Sequence, residues 1–185
     1  MAVQGDLRIQ LPISQATVTA IGYHGGDLGG LALDPVGQQS NEGLFSRLVH
    51  WVFGGRGTGL RYYRMGGGEG PPTGAVDVGA PAGTDVYSPV DGTVVSIRDD
   101  ILNGRPYGNV IEIEPSGAPS VVVSLTRLRT DPALAVGSAV VAGSTKVGTV
   151  VDLSTVEEQA LARHTRDAGN HVTLEVHPAA ALALR

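Results

Sequence analysis

The sequence predicts a mostly β protein, an antiparallel sheet of short strands folded into a barrel-like sandwich with one or two short helices. Three observations point there. Twenty-seven glycines and 11 prolines in 185 residues cut the chain into short pieces, because these residues punctuate regular structure. Apolar residues make up 42% but aromatics only 4%, so the core is aliphatic, with the Val and Ile that suit pleated surfaces. Beyond residue 74 the clean apolar patterns repeat every second residue.

The first third of the chain is less regular. Leu7 to Leu11 alternates and predicts a strand, and Thr17 to Ile21 predicts a second. Tyr23-His24-Gly25-Gly26-Asp27, followed by Gly29-Gly30, reads as a loop in which His24 and Asp27 are polar residues able to serve as ligands. Asn41 caps a helix expected to run to Phe53. Leu44, Leu48 and Val52 form one of its apolar stripes, Phe45, Val49 and Phe53 the next, and Trp51 lies within it. Core packing is the default for such a helix, and a partner surface is the other option. Gly54-Gly55 and Gly57-Thr58-Gly59 end it in a hinge. Arg61-Tyr62-Tyr63-Arg64 and Gly66-Gly67-Gly68 read as a further mobile stretch. These glycines lack the strand, loop and helix order of a nucleotide-binding loop. A boundary is placed near residue 66, dividing an N-terminal arm (1–66) with a strand pair and one apolar helix from a domain at 67–185.

The second part centres on Gly74 to Ile97. Asp77 is a lone carboxylate among Ala75, Val76 and Val78. Pro81-Ala82-Gly83 is a turn, and Asp91-Gly92 opens the β-branched run Thr93-Val94-Val95, a tight-turn signal because Gly tolerates positive φ. Asn109 to Glu114 alternates, Pro115 to Pro119 turns, and Val121 to Leu125 is a buried strand. Ala135 to Val151 reads as short strands separated by Gly137, Gly143 and Gly148. Ser154-x-x-Glu157 has the form of a capping box, predicting a helix to about Asp167 that stops at Gly169, with His164 near its end. His171 to His177 alternates, with Val172, Leu174 and Val176 on one face and His171, Thr173, Glu175 and His177 on the other. Ala179 to Leu184 is a short helix or a frayed tail.

Charge and composition exclude some functions. A net charge of −5 and no basic stripe argue against nucleic acid. With no Cys there is neither a disulfide nor a Cys-type zinc site. No run approaches the roughly 18 apolar residues of a membrane span, and no secretory leader is read before residue 20. An exported protein would carry its leader or anchor outside this sequence.

The run from Gly74 to Val95 resembles the LytM/lysostaphin-type zinc peptidase family (M23). Tyr107-Gly108-Asn109-Val110-Ile111-Glu112-Ile113 resembles the family's next segment. Leu134 to Gly148 resembles its V-x-x-G repeat, and Asn170-His171-Val172-Thr173-Leu174-Glu175-Val176 its closing H-x-H-x-E strand. The four segments occur in the family's order over about residues 67 to 178. The resemblance implies a fold of the duplicated hybrid motif type. It also implies a zinc held by a His four residues before an Asp, by that Asp, and by the second His of H-x-H, with a polarised water attacking a peptide bond of peptidoglycan. Two further imidazoles, the first His of H-x-H and one in a Y-x-H-L segment, would stabilise the oxyanion or move protons.

Transferred residue by residue, the implied site is a remnant. Thr73 and Thr173 stand at the two metal-His positions. Asp77 and His171 are kept, and Arg127, in Leu125-Thr126-Arg127-Leu128, stands at the second imidazole position. A Thr hydroxyl is a poor zinc ligand, and a guanidinium near the cation would repel it. The expectation is therefore a domain without metal or cofactor, not an enzyme, with an Arg127–Asp77 salt bridge replacing the ion. It would bind a cell-envelope protein or a peptidoglycan peptide through the old substrate groove, and the family implies an extracellular or cell-envelope location. The alternatives are a zinc metalloendopeptidase with substitute ligands drawn from His24, His50, His164 or His177, and a biotinyl- or lipoyl-type carrier. The carrier lacks a suitable Lys, because Lys146 is the only one and sits in Ser144-Thr145-Lys146-Val147. A hydrolase using Ser124, His171 and Asp77 lacks the G-x-S-x-G elbow.

Overall fold

The computed structural model describes residues 1–40 and 61–184. The helix expected from Asn41 to Phe53, with His50 and Trp51, and the glycines at 54–59 lie outside the described residues.

The N-terminal strands are β1 (Ala2–Gln4), β2 (Leu7–Ile9), β3 (Ile21–His24), β4 (Asp34–Pro35), β5 (Gln38–Gln39) and β6 (Arg61–Arg64). Then follow β7 (Ala75–Gly79), β8 (Asp85–Tyr87), β9 (Gly92–Leu102), β10 (Arg105–Pro115) and β11 (Val121–Thr130). The last three are β12 (Ala139–Val140), β13 (Lys146–Val150) and β14 (His171–Pro178). Two short 3-10 helices occupy Ala160–His164 and Ala179–Leu184.

The main sheet runs β12-β9-β10-β11-β14-β7-β3-β6-β5, and β13 pairs with both β11 and β8. A small sheet, β2-β1-β4, stands apart. Pairing is antiparallel except where β6 lies parallel to β3 and to β5. The mostly β class is as the sequence predicts, but among the described residues the sheet does not close into a barrel. Closure needs the first and last strands to pair, and here the path ends in two-residue strands, β12 and β5, that do not meet.

β14 sits mid-sheet between β11 and β7. Its Val172, Leu174 and Val176 are fully buried and join Val76, Val78, Val123 and Leu125 in the core. This is the face that the period-two alternation assigns to the interior. The opposite face is also largely covered: His171 and His177 are each 5% exposed and Thr173 9%. A strand with a polar row under cover forms the floor of a site.

Residues 1–66 contribute directly to this sheet. β3 pairs with β7 in the register Ile21↔Val78 to His24↔Ala75. Tyr23 is buried and meets the edge of Tyr62 with ring centroids 5.2 Å apart. The boundary expected near residue 66 falls between β6 and β7, both strands of this one sheet.

Local readings shift in three places. The second strand is Ile21–His24, not Thr17 to Ile21, because Thr17 closes a turn through bonds to the Ser14 carbonyl. His24 is thus at a strand end and not in a loop. Arg61–Arg64, expected to be mobile, forms β6. The helix expected from Ser154 is instead a set of turns leading to the 3-10 helix at Ala160–His164. The capping box does not form. Ser154 Oγ donates to Asp152 Oδ1 at 2.6 Å, and the Glu157 carboxylate is taken by Arg127.

Past His24 the chain packs against the glycine stretch. The Gly25 N–H donates to the Gly67 carbonyl at 2.9 Å. A Cβ on Gly68, whose φ is +76°, would collide with the Gly25 backbone. Only glycine permits so close an approach at that φ.

Truncating Leu174 to Ala should lower unfolding free energy by about 2–5 kcal/mol, the cost of a cavity in a packed core. Ile101→Ala, at a position 57% exposed, should change it by no more than about 0.5 kcal/mol. Urea unfolding followed by circular dichroism checks both, and equal effects would show that the β14 face is not the core.

Candidate functional site

The covered polar row of β14 opens into a groove of about 560 Å³. Strand register builds its floor. Thr173 lies directly opposite Asp77 on β7 and Thr126 on β11. One step along, Glu175 faces Ser124, which in turn faces Glu112 on β10. His24 enters from β3, opposite Ala75. The wall carries Arg98, Asp100, Arg127 and the segment around Glu157.

Asp77 is the centre. It is 4% exposed, and its Oδ1 accepts the Thr173 hydroxyl at 2.7 Å. His24 Nε2 lies 3.2 Å from the same oxygen and His171 Nε2 3.5 Å. Both rings are fixed from behind. His24 Nδ1 is 2.7 Å from the Gly25 carbonyl and His171 Nδ1 2.8 Å from the Gly169 carbonyl. A carbonyl only accepts, so Nδ1 carries a proton in each ring and Nε2 is turned on the carboxylate.

The electrostatics of the pair agree. The hydrogen bond to Asp77 raises the His24 pKa above its ordinary value and outweighs desolvation, which lowers it. Burial pushes Asp77 upward, but the His171 charge, the His24 hydrogen bond and charge, and the Thr173 hydroxyl together hold it below its ordinary value. An imidazolium on His24 can donate from both nitrogens, one to Gly25 and one to Asp77.

The expected Arg127–Asp77 salt bridge does not form. Arg127 sits at φ +63° inside β11, beside a register shift in its pairing with β10. Its N–H donates to Asp100 Oδ2 at 2.9 Å. Its guanidinium reaches Glu157 Oε1 at 2.6 Å and Gln159 Oε1 at 3.1 Å. The left-handed backbone turns the residue toward the 152–160 segment, and nearer acceptors hold it there.

A second polar cluster lies further along β14, where His177 Nε2 is 3.0 Å from Glu175 Oε2. The Asp27 N–H donates to the same oxygen at 3.4 Å. Of the sequence-predicted site residues, Asp77, Arg127, His171 and Thr173 all line the groove. Thr73 is half-buried away from the groove lining, its carbonyl accepting the Leu33 N–H at 3.0 Å. Among the other imidazoles, His24 and His177 line the groove, whereas His164 stacks on Tyr63 at a separate cleft.

A zinc of the implied kind needs three strong protein donors converging on one point. Among the described residues no three His, Cys, Asp or Glu groups are arranged to hold a metal ion. The Asp77 oxygen facing the imidazoles already accepts the Thr173 hydroxyl. As placed, the donors are engaged with one another and with the backbone: Thr173 and His24 on Asp77, and each Nδ1 on a carbonyl.

Glu157 and Gln159 escaped the sequence reading as site residues, Glu175 entered it as part of the polar face of the last strand, and His24 only as a loop residue or substitute ligand. The signal available for His24 was Ile21-Gly22-Tyr23-His24, where the strand continues three residues further than the reading took it.

No family model matches the chain, and no curated protein matches it. Solved structures similar to it include a chain of the SpoIIQ–SpoIIIAH pore-forming complex, 13% identical over 95% of this chain and 96% of that one, TM-score 0.47. Another is pseudoalterin, an M23 metalloprotease from the deep sea, 15% identical over 94% of this chain and 72% of that one, TM-score 0.46. Csd3 of Helicobacter pylori is 23% identical over 58% of this chain, TM-score 0.41. This chain spans 24% of the length of Csd3 and 36% of that of lysostaphin, another similar structure.

Two predictions follow from the Asp77 cluster. Thr173→Val should cost about 1–3 kcal/mol, because it leaves a buried carboxylate short of a donor; chemical denaturation at neutral pH measures it. His24→Gln should have a pH-dependent cost. The His24 contribution is complete below its unfolded value of 6.5 and is lost as pH rises through its higher folded pKa. That of Asp77 is complete above 3.8 and is lost as pH falls through its lower folded pKa. The cost should therefore be largest between about pH 4 and 6.5 and should shrink in alkali. A cost that stays constant from weak acid to weak base would contradict the pairing.

Proposed function

We propose that the chain is a non-catalytic M23/LytM-like cell-envelope domain that binds a peptide, from a partner protein or from peptidoglycan, through the groove above Asp77. The carrying observation is the Thr173 hydroxyl on Asp77 Oδ1, in the position where the resemblance implies a metal-binding His. The hydroxyl and the His24 ring take up the carboxylate, while the groove above it stays open at about 560 Å³. An open cleft lined by polar side chains on rigid strands is suited to binding an extended chain. In this reading residues 67–185 form the groove-bearing unit, residues 1–66 supply His24 to its wall, and the location is extracellular or at the envelope.

A zinc metalloendopeptidase with substitute ligands has one observation in its favour. His24 and His171 both turn Nε2 on Asp77 while Nδ1 rests on a backbone carbonyl, an arrangement that metal-bound imidazoles also use. The two readings separate cleanly. The non-catalytic one predicts substoichiometric zinc by elemental analysis after purification in zinc-containing buffer, and no release of soluble fragments from peptidoglycan. It also predicts retention on insoluble peptidoglycan or on a partner peptide, reduced at least about tenfold by Thr126→Trp, which fills the groove. One tightly held zinc with chelator-sensitive cleavage would establish the peptidase instead.

A further inference from the structure

We propose that the groove recognises a free primary ammonium group on the peptide it binds, with Ser124 and Glu175 as the subsite. The inference rests on the groove being the binding surface and adds the chemistry of the ligand.

Charge is the first observation. Six carboxylates line the groove against two guanidiniums, Arg98 and Arg127, and the His24 imidazolium that pairs with Asp77. Neither guanidinium is available to an anion: Arg98 is held by Glu112 at 3.3 Å and Arg127 by Glu157 at 2.6 Å. The groove therefore repels carboxylates and phosphates and draws cations.

The second observation is independent of the charge. Ser124 is 4% exposed and lines the groove, and among the described residues its hydroxyl makes no hydrogen bond. The buried hydroxyls left without a partner among these residues are those of Ser40 and Thr130, so the Ser124 oxygen still opens on the groove and is within reach of a ligand. Its cross-strand neighbours are carboxylates on both sides, Glu175 on β14 and Glu112 on β10. Side chains directly opposite on paired strands stand about 5 Å apart at Cβ. Ser124 and Glu175 thus share one face of the ladder, and the His177 and Asp27 contacts both use Glu175 Oε2, which leaves Oε1 as the acceptor beside Ser124. Glu175 keeps acceptor capacity beyond His177 and the Asp27 N–H, because a carboxylate has about four lone-pair sites. An ammonium is a compact charge with three donors and fits between these acceptors. A guanidinium is a planar fork suited to one carboxylate face on, and it is the poorer match.

The test uses the full chain and two peptides, N-acetylated and C-amidated, that differ only in one lysine side chain: free in one, Nε-acetylated in the other. Isothermal titration calorimetry should show the free-lysine peptide binding about tenfold more tightly, the worth of a charge-assisted hydrogen bond. Ser124→Ala and Glu175→Gln should each shrink that preference, with folding confirmed by circular dichroism. If Glu175→Gln does not fold, the wild-type comparison and Ser124→Ala still decide. Equal affinity for the two peptides would overturn the ammonium subsite while leaving groove binding intact. Binding of neither would also overturn it, and the groove reading is then judged separately by Thr126→Trp on peptidoglycan.

Discussion

A carboxylate buried to 4% exposure needs compensation, and the way Asp77 obtains it governs the site. An ionised carboxyl taken out of water is destabilising by several kcal/mol unless donors or opposite charge surround it. Here the Thr173 hydroxyl, the His24 ring and the His171 charge supply both. The arrangement depends on register. Thr173 can reach Asp77 only because β14 pairs with β7 so that the two residues face each other. A slip of one residue would turn the polar row of β14 into the core and bring Val172 or Leu174 into the groove.

The same register argument explains why the N-terminal segment belongs to the site. β3 lies against β7, and its last residue carries the imidazole that neutralises Asp77. The close passage of Gly25 past Gly67 and Gly68 sets where the chain leaves that strand. On the opposite wall, Arg127 adopts a left-handed backbone that costs of order 1 kcal/mol or more for a non-glycine residue. Its bonds to Asp100, Glu157 and Gln159 offset that cost and tie the 152–160 segment to the sheet. The groove thus has one wall set by an imidazole from β3 and another set by a strained arginine.

The strands were legible where the alternation was long. His171 to His177 gave the buried row, the polar row and the place of Thr173 without reference to any contact. Asp77 stood out as the one carboxylate in an apolar run. What could not be read were interactions between segments far apart in the chain. Arg127 looked like a partner for Asp77 because both were traced to one site, but a positive φ is invisible in a residue name, and it sends the guanidinium to Glu157. Ser154-x-x-Glu157 had the letters of a capping box, yet Asp152 and Arg127 compete for the same two side chains and win. His24 reads as a loop residue because two glycines follow it, and the pairing of its strand with β7 is a tertiary fact.

In the proposed reading a proton on His24 and a hydroxyl on Thr173, and not a metal ion, balance the Asp77 charge. Nitrogen-15 NMR of the histidine side chains tests it most directly. The account predicts that His24 titrates with a pKa above the ordinary 6.5, that Asp77→Asn lowers it, and that added chelator changes nothing. A His24 ring that does not titrate until chelator is added would contradict it.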